Sequence, residues 1–384
     1  MTLGRCHNIE DLRRQARRRL PRGLFEFIDR ATEDDVALRL NRAGLERIRL
    51  APRMLVDVAA RTTEVELFGR RLAMPVVVSP AGPAGFFWHK GELALARAAA
   101  RAGVPFTLST YSTTEMSEII EAGAIPWFQL YLWQDRTLSF ALLDKARTMG
   151  FEALVVTVDT PVLGQREYLH HNGFLPPFHA SPKALFDMLL HPRWLAGVPL
   201  RYALVTGWPR IVNMPESAGG SQADADIERR TTLSQTTTWE ELARVRDRWP
   251  GTMMVKGILR EDDARRAAEL GCDAVVVSNH GGRNLDAAVS PIDVLPAIVA
   301  AVGSRMTVLM DSGIRRGSDI VKALALGASA VLVGRAPLYG VSVAGEDGAL
   351  HALALLQSEL TRTMALTGCS RIADITPDLV FQPA

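Results

Sequence analysis

Short apolar runs alternate with segments of helical composition along most of the chain. Continuous apolar strands separated by helices are typical of a parallel sheet that is covered on both faces. The candidate strands are residues 75–79, 105–109, 127–131, 153–159, 253–256, 274–279, 307–311 and 330–334. The candidate helices are residues 92–102, 114–122, 138–149, 239–249, 261–270, 291–302, 318–326 and 346–366.

Eight strands of this kind are the number that closes a barrel. The competing fold is an open, doubly wound sheet, but no Gly-x-Gly-x-x-Gly motif follows any candidate strand. The chain has 384 residues, and α/β barrels with insertions reach this length as one domain. We therefore predict an α/β fold, a (β/α)8 TIM barrel, with residues 1–384 as a single domain.

The N-terminal segment, residues 1–73, lies outside this alternation. It begins with a helical pattern at residues 9–20 and continues in a second turn after Pro21. The rest is arginine-rich and irregular, with a β-like piece at residues 63–68. We predict that this segment forms an N-terminal helical cap on the barrel.

Polar residues occur where each candidate strand ends. In a barrel, the carboxyl ends of all strands face one pocket. Eight polar endings that include lysine, histidine, aspartate and arginine therefore indicate an active site at that end. The residues concerned are Ser79, Ser109, Gln129, Tyr131, Thr157, Asp159, Lys256, Ser278, His280, Asp311, Gly334 and Arg335.

The sequences after the last two strands suggest a phosphate site. Gly313 and Arg315 follow the seventh strand, and Gly334 and Arg335 follow the eighth. Barrels commonly bind phosphate in these loops, with backbone N–H groups, a helix N-terminus and charge-assisted hydrogen bonds from arginine. The phosphate could belong to a substrate or to a cofactor.

Lys256 leaves two kinds of chemistry open. A buried lysine at a strand end can form a Schiff base, or it can stabilise a developing anion. The neutral hydrogen-bonding groups of Ser109, Gln129 and Thr157 on neighbouring strands suit the edge of a flat heteroaromatic ring such as a flavin. These residues by themselves do not decide between flavin and Schiff-base chemistry.

Composition limits the classes of partner. The 44 basic and 42 acidic residues give a net charge of +2, which provides no general argument for nucleic-acid binding. Arginines crowd residues 13–22, and a solvated basic helix face is the simplest interpretation. The three cysteines are far apart, so they indicate neither a disulfide framework nor a zinc site and fit the reducing cytoplasm. Neither a signal peptide nor a membrane-spanning run is recognisable.

Several short motifs lie at or just beyond the strand ends. They are Phe-Gln-Leu-Tyr at 128–131, Thr-Val-Asp at 157–159, Gly-Gln-Arg at 164–166, Val-Lys-Gly at 255–257, Ser-Asn-His-Gly-Gly-Arg at 278–283, Asp-Ser-Gly at 311–313 and Gly-Arg at 334–335. Together they resemble the motifs of the FMN-dependent 2-hydroxy-acid dehydrogenases and oxidases, over nearly the whole chain. Within the family, residues 88–91 and 316–327 are most similar to the mandelate dehydrogenases, with the L-lactate dehydrogenases next.

The resemblance implies a role for each polar residue near the substrate. His280 would take a proton from the substrate, and Asp159 would pair with it and stabilise the imidazolium. Arg166 and Arg283 would bind the substrate carboxylate, for which the planar guanidinium is suited. Tyr131 would hydrogen-bond the substrate. Whether the α-hydrogen leaves as a proton or as a hydride stays open.

The resemblance also implies a set of FMN-binding residues. Lys256 would stabilise the negative charge of the reduced ring, Asp311 would hold the ribityl chain, and the glycines and arginines after the last two strands would hold the phosphate. The expected set is Pro80, Ala81, Gly82, Ser109, Gln129, Thr157, Lys256, Ser278, Asp311, Gly313, Arg315, Gly334 and Arg335. Gly82 leaves room for an aryl group, which favours a mandelate-like substrate.

One position departs from the family pattern. The family has a tyrosine in the N-terminal segment that reaches the substrate carboxylate, and this chain has Phe27 there. A phenyl ring cannot donate that hydrogen bond. We therefore expect Phe27 to line the substrate site and to make carboxylate binding weaker or the pocket more apolar.

Residues 160–238 form a long insert after the fourth strand. Within it, residues 183–210 are rich in leucine and aromatic residues, with basic residues interspersed. This composition fits an interfacial membrane anchor on the inner face of the membrane, but a lid over the active site explains it equally well. The polar stretch 217–226 is expected to be mobile.

The expected reaction is oxidation of an (S)-2-hydroxy acid to the 2-keto acid, with electrons passed to a quinone or another acceptor. L-lactate dehydrogenase activity and a soluble oxidase that uses oxygen are the near alternatives, and a Schiff-base aldolase is the alternative from another class. By resemblance, the protein is expected to be a homo-oligomer, with four subunits as in many family members.

Overall fold

The computed structural model describes residues 3–175, 179–214 and 229–381. The strands are β1 Val65–Leu67, β2 Arg70–Leu72, β3 Val76–Val78, β4 Pro105–Ser109, β5 Ile125–Leu130, β6 Ala153–Thr157, β7 Phe174–Leu175, β8 His179–Ala180, β9 Thr252–Ile258, β10 Ala274–Val277, β11 Thr307–Met310 and β12 Ala330–Val333. Eight of them form a closed parallel barrel in the order β3, β4, β5, β6, β9, β10, β11, β12. The predicted TIM barrel is confirmed.

Helices surround the barrel and cover its carboxyl end. They are α1 Ile9–Arg19, α2 Arg22–Asp29, α3 Val36–Arg47, α4 Gly91–Arg101, α5 Met116–Glu121, α6 Arg136–Thr148, α7 Glu167–Asn172, α8 Pro182–Leu189, α9 Pro192–Gly197, α10 Pro199–Arg201, α11 Trp239–Arg248, α12 Glu261–Glu269, α13 Pro291–Val302, α14 Gly317–Ala325 and α15 Arg335–Thr367. A π-helical turn, Tyr202–Thr206, follows α10.

Alternate residues of most barrel strands belong to two different cores. Val275 and Val277 of β10 pack outward against the helices, whereas Ala274 and Val276 lie in a second cluster inside the barrel. Because side chains alternate along a strand, the next inward position after Val276 is Ser278. By the same alternation, the next inward position after Trp127 on β5 is Gln129. The predicted site residues are thus the inward positions just above the barrel core.

The short hairpin of β1 and β2 lies at the amino end of the barrel. Its Leu67 and Leu72 belong to the inner cluster, and the rings of Phe68 and Trp127 lie 5.9 Å apart. Burial of these side chains keeps water out of the barrel interior from that side. The β-like piece predicted at residues 63–68 is the first strand of this hairpin.

The N-terminal segment contains one helix that the sequence analysis did not predict. Residues expected to be irregular form α3, whose first turn is held by Asp286: its carboxylate accepts hydrogen bonds from Asp34 N and Ala37 N, both at 3.1 Å. Farther along α3, Asn41 and Asn279 exchange two side-chain amide hydrogen bonds of 2.9 and 2.7 Å. These contacts fix the cap over the end of β10.

The insert is folded where the structure describes it. Trp194 Nε1 donates to Phe86 O at 2.8 Å, and Lys90 N donates to the Tyr202 hydroxyl at 2.9 Å. The insert therefore packs on the loop between β3 and α4. The stretch predicted to be mobile, 217–226, lies outside the described residues.

The last helix begins earlier than predicted. It was expected over residues 346–366, but helical residues run from Arg335 to Thr367, with a break at Ala344 and Gly345. A Cβ on Gly345 would lie 2.5 Å from Trp88 Nε1, so the break lets α15 pass close to that indole ring. The predicted segment corresponds to the second half of α15.

Candidate active site at the carboxyl end of the barrel

The strand ends surround a cavity of about 620 Å³, a volume that suits a small-molecule site. Among the predicted residues, those that line it are Phe27, Ser79, Pro80, Ala81, Gly82, Ser109, Gln129, Tyr131, Thr157, Arg166, Lys256, His280, Arg283, Asp311, Gly313, Arg315, Gly334 and Arg335. Asp159 and Ser278 do not line the cavity but contact residues that do.

His280 is held at the cavity by three neighbours. Its Nδ1 lies 2.8 Å from Asp159 Oδ1, and its backbone N–H donates to Ser278 Oγ at 3.0 Å. On the other side of the ring, Nε2 lies 3.4 Å from the Tyr131 hydroxyl. Because Asp159 accepts the proton on Nδ1, the unprotonated nitrogen is Nε2, which faces the cavity.

The backbone conformation explains the His-Gly-Gly sequence. His280, Gly281 and Gly282 have φ values of 57°, 67° and 77°, a left-handed run that only glycine adopts without cost. A Cβ on Gly282 would lie 2.8 Å from Leu38 N in α3. The two glycines therefore allow the chain to turn beneath the cap and bring Arg283 back to the cavity.

Burial and charge set the protonation states of this pair. Burial lowers the pKa of His280, and Asp159 offsets only part of that shift, so the imidazole is neutral at neutral pH. Burial alone would raise the pKa of Asp159, but His280 and Lys256 together hold it below its usual value. The site thus contains a neutral base beside a permanent carboxylate.

Lys256 is buried in an ion pair. Its Nζ lies 3.2 Å from Asp311 Oδ2 and donates to Ser278 Oγ at 3.0 Å. Burial favours the neutral amine, but Asp311 and Asp159 outweigh it and raise the pKa of Lys256. The lysine is therefore a cation, which places a fixed positive charge beneath the cavity.

Two arginines and one phenyl ring form the opposite side of the cavity. The guanidinium carbons of Arg166 and Arg283 lie 5.7 and 5.1 Å from the centroid of the Phe27 ring, within cation–π range. Arg283 Nη1 also donates to Phe27 O at 2.8 Å. The proximity of Arg283 and burial lower the pKa of Arg166 to about 9. A bound anion would relieve this repulsion.

The two loops predicted to bind phosphate also line the cavity, but the side chain of one of their arginines, Arg335, is already hydrogen-bonded to the protein. Arg335 donates to three backbone oxygens, those of Ile28, Arg30 and Gly281, at 2.9 to 3.1 Å. Burial lowers its pKa to about 10. Its side chain thus ties the cap to the barrel, while Arg315 packs on the Tyr339 ring at 5.5 Å.

Part of the cavity wall was not predicted from the sequence. The cavity is also lined by Phe86, Phe87, Tyr111, Trp208 and Met214. Phe86 ends the short 3-10 helix Ala84–Phe86, and the other four lie on loops without strand or helix periodicity. The aromatic pair Phe86-Phe87 after a glycine- and proline-rich loop was a usable signal. Nothing in the local sequence indicates that Trp208, far along the insert, returns to the site.

Comparison with known proteins agrees with this geometry. A family model described as FMN-dependent dehydrogenase matches residues 16–382. The chain belongs to this family. FMN is accordingly the cofactor of this dehydrogenase.

Named relatives of this dehydrogenase act on 2-hydroxy acids. It is 42% identical to an (S)-mandelate dehydrogenase from Pseudomonas putida over 97% of this chain and 93% of the relative. It is also 42% identical to an L-lactate oxidase from Nostoc over 96% of each chain. The structure of a monotopic membrane (S)-mandelate dehydrogenase superposes with a TM-score of 0.91 and 40% identity, covering 98% of this chain and 99% of that one.

The cavity of this dehydrogenase fits FMN on its own evidence. Gln129 Oε1 accepts hydrogen bonds from Ser109 Oγ and Thr110 N, so the Gln129 NH₂ group points away from these two donors. Gln129 Nε2 and Thr157 Oγ1 are buried and have no hydrogen-bond partner among the described residues. A buried donor needs a partner, and the polar edge of a flavin supplies donors and acceptors.

Proposed function

We propose that this dehydrogenase oxidises an (S)-2-hydroxy acid with an aryl or similarly apolar substituent to the 2-keto acid. The observation that carries the proposal is the placement of a neutral, carboxylate-paired histidine in the same cavity as two half-buried arginines. The histidine can remove a proton while the arginines bind an anion. A 2-hydroxy acid needs both groups, because its hydroxyl-bearing carbon is adjacent to its carboxylate.

The arginines account for binding of the acid. Arg166 Nε is buried without a partner among the described residues, and the pKa of Arg166 is already lowered by Arg283. A carboxylate between the two guanidiniums satisfies the donor and neutralises the repulsion. Phe27 stacks on both cations and keeps them in place without contributing a hydroxyl.

The histidine accounts for proton removal. His280 Nε2 accepts a proton from the bound hydroxy acid, and the Asp159 carboxylate at 2.8 Å stabilises the imidazolium that forms. FMN, when bound, takes up the two electrons. The positive charge of Lys256 beneath the cavity stabilises negative charge that develops above it. Kinetic measurements distinguish a carbanion route from a hydride route.

The same charges argue against the Schiff-base alternative. An amine must be neutral to attack a carbonyl. Lys256 is held as a cation by Asp311 at 3.2 Å, and its pKa is raised. The lysine therefore suits electrostatic stabilisation rather than nucleophilic attack.

The cavity wall supports an aryl substrate. Phe27, Phe87, Tyr111, Tyr131 and Trp208 all line it, and the rings of Tyr111 and Tyr131 lie 5.6 Å apart. Such a wall gains more apolar contact from a phenyl group than from the methyl group of lactate. We rank mandelate-like acids first and L-lactate second.

The deciding measurement is the visible spectrum of the purified holoenzyme. Anaerobic addition of (S)-mandelate should bleach the flavin band, with a higher second-order rate than L-lactate gives. Absence of bleaching with either acid would contradict the proposal. Measuring hydrogen peroxide during aerobic turnover then separates an oxidase from a dehydrogenase that reduces a quinone.

We further propose that the insert both covers the site and contacts a membrane surface. Trp208 lines the cavity, and it is also 68% exposed, as are Phe186 at 65% and Leu189 at 68%. Within the described residues, none of the helices has the length and apolar character to cross a bilayer. Flotation of the holoenzyme with vesicles tests the contact, because an insert that is only a lid leaves the protein at the bottom of the gradient.

We also propose that residues 1–384 act as one FMN-binding unit that assembles into a homo-oligomer. Met54 is 72% exposed and Leu55 fully so, and exposed apolar side chains of this size support a subunit contact. Light scattering of the holoenzyme in solution gives the number of subunits, four being expected.

A further inference from the structure

We propose that the exposed arginine face of α1, formed by Arg14, Arg17 and Arg18, binds the anionic headgroups of a membrane beside the apolar insert. This inference rests on the membrane contact proposed above. It assigns a role to an arginine cluster that the sequence alone suggests is only a solvated helix face. Four observations support it.

The first observation is that the cluster lies on one side of α1. Positions 14, 17 and 18 are three and four residues apart, and such residues are neighbours on a helix surface. All three side chains are exposed. The opposite side, formed by Ile9, Leu12 and Ala16, is buried. The arginines therefore point away from the protein together.

The second observation is the shortage of acidic partners. Arg14 pairs with Asp11, but Arg17 and Arg18 form no ion pair with any residue that the structure describes. Residues 12–22 contain six arginines and no acidic residue. Like charges at this spacing destabilise a helix. The helix dipole offsets part of the repulsion between the arginines in the last turn, and an anionic membrane surface offsets the remaining repulsion.

The third observation is that α1 adjoins the insert. Arg19 Nη2 donates to Arg193 O at 3.4 Å, and Arg22 N donates to Asp187 Oδ2 at 2.6 Å. Arg19 also lies over the Trp88 ring, 4.6 Å from its centroid. The end of α1 and the start of α2 are thus fixed against the segment that runs from α8 to α9. Arg17 and Arg18 directly precede Arg19, so the arginine face lies at the end of α1 that adjoins the insert.

The fourth observation is the chemistry of the neighbouring surface. Phe186, Leu189 and Leu190 share one side of α8 and its end, and each is more than 60% exposed. The basic residues Arg193 and Arg201 are exposed close by. Apolar side chains beside cations are the combination that binds an anionic bilayer surface, because the apolar side chains enter the lipid interface and the cations attract the anionic headgroups.

The test measures vesicle binding of the full-length holoenzyme. The variant Arg17→Gln/Arg18→Gln removes two charges without adding bulk. The matched control, Arg244→Gln/Arg305→Gln, removes two exposed arginines elsewhere; Arg305 precedes β11 and so lies at the amino end of the barrel. Cosedimentation uses neutral phosphatidylcholine vesicles and vesicles that also contain phosphatidylglycerol.

The arginine variant should bind phosphatidylglycerol vesicles about 30-fold more weakly than the wild type, which corresponds to about fivefold per charge. Its binding to neutral vesicles, its flavin spectrum and its turnover with a soluble acceptor should be unchanged. The control should match the wild type throughout. High salt should reduce wild-type binding on anionic vesicles to the level on neutral ones, which tests the role of charge without any substitution.

The outcomes separate this proposal from the one on which it rests. If the wild type binds neither kind of vesicle, the membrane contact itself is wrong, and with it the role of α1. If the wild type binds but the arginine variant equals the control, the insert acts alone and the role of α1 is overturned. A variant that loses binding only to a soluble polyanion, such as heparin, and keeps it on vesicles also overturns it.

Discussion

The two walls of the cavity differ in how their polar groups are held. On the barrel wall, His280 and Lys256 stand at strand ends, and each has a carboxylate partner within 3.2 Å, Asp159 for His280 and Asp311 for Lys256. On the outer wall, Arg166 and Arg283 stack on Phe27, and Arg166 Nε has no partner among the described residues.

This difference separates the parts of the reaction. Groups that move protons need fixed distances and therefore stand close to the ends of the rigid barrel strands. Groups that recognise the substrate stand on α2, on the insert and on the loop after His280. The barrel wall is expected to control kcat and the outer wall to control KM, and the following predictions test that division.

The largest effect is expected at His280. Asparagine tolerates the left-handed conformation of this position, so His280→Asn removes the base without forcing the backbone to change. Loss of the general base should lower kcat about 10²- to 10⁴-fold, measured as the rate of anaerobic flavin bleaching by (S)-mandelate. Flavin content should stay at the wild-type level. A variant that retains more than a tenth of the wild-type rate would show that another group removes the proton.

The next effect is expected at Arg166. Replacement by methionine, Arg166→Met, keeps the length of the side chain and removes the charge, which should raise KM about 100-fold with a smaller change in kcat. Arg166→Lys should recover part of the loss, because it restores the charge without the planar fork. If both variants keep the wild-type KM, the carboxylate is bound elsewhere.

A smaller effect in the opposite direction is expected at Phe27. Phe27→Tyr adds a hydroxyl to the outer wall, and one further hydrogen bond to the carboxylate, about 1 kcal/mol, should lower KM for a small 2-hydroxy acid about fivefold. L-lactate is the suitable substrate, since it depends least on apolar contact. An unchanged or higher KM would mean that the ring of Phe27 does not face the carboxylate.

The smallest effect is expected in the pH profile. The base must be unprotonated, and burial lowers the pKa of His280 below its ordinary value of 6.5. The kcat/KM value should therefore stay level at neutral pH and fall only as the pH drops below 6.5. Asp159→Asn removes a carboxylate that raises this pKa, so its acid limb should move to lower pH. A shift to higher pH would contradict the assigned pair.

The barrel wall could be predicted from the sequence because its geometry follows from strand periodicity. Once β10 is recognised, Ser278 is the next inward position after Val276, and the same alternation of side chains identifies Gln129 on β5. The outer wall has no such period. Trp208 reaches the cavity from the insert, and α3 was read as irregular because its partners, Asp286 and Asn279, lie more than 230 positions away along the chain.

Signals for the outer wall existed only in part. The aromatic pair Phe86-Phe87 stands beside the predicted flavin loop, and the substitution at Phe27 was visible only against the family pattern. The charge of Arg166 was predicted, but its stacking on Phe27 was not, since a sequence does not record which distant residues share a face. Contacts between segments that are far apart in the chain need the folded structure.

The bonds between the cap and the barrel also set an order of events during synthesis. Asn41 and Asn279 are 238 positions apart, and Arg335 is 307 positions from Ile28, whose carbonyl it binds. Helices α2 and α3 leave the ribosome before any barrel strand, but they cannot contact these partners until the last strands have been made. The outer wall is thus among the last parts of the molecule to form. A chain that stops before Arg335 contains Phe27 and yet lacks the contact that holds α2 at the cavity.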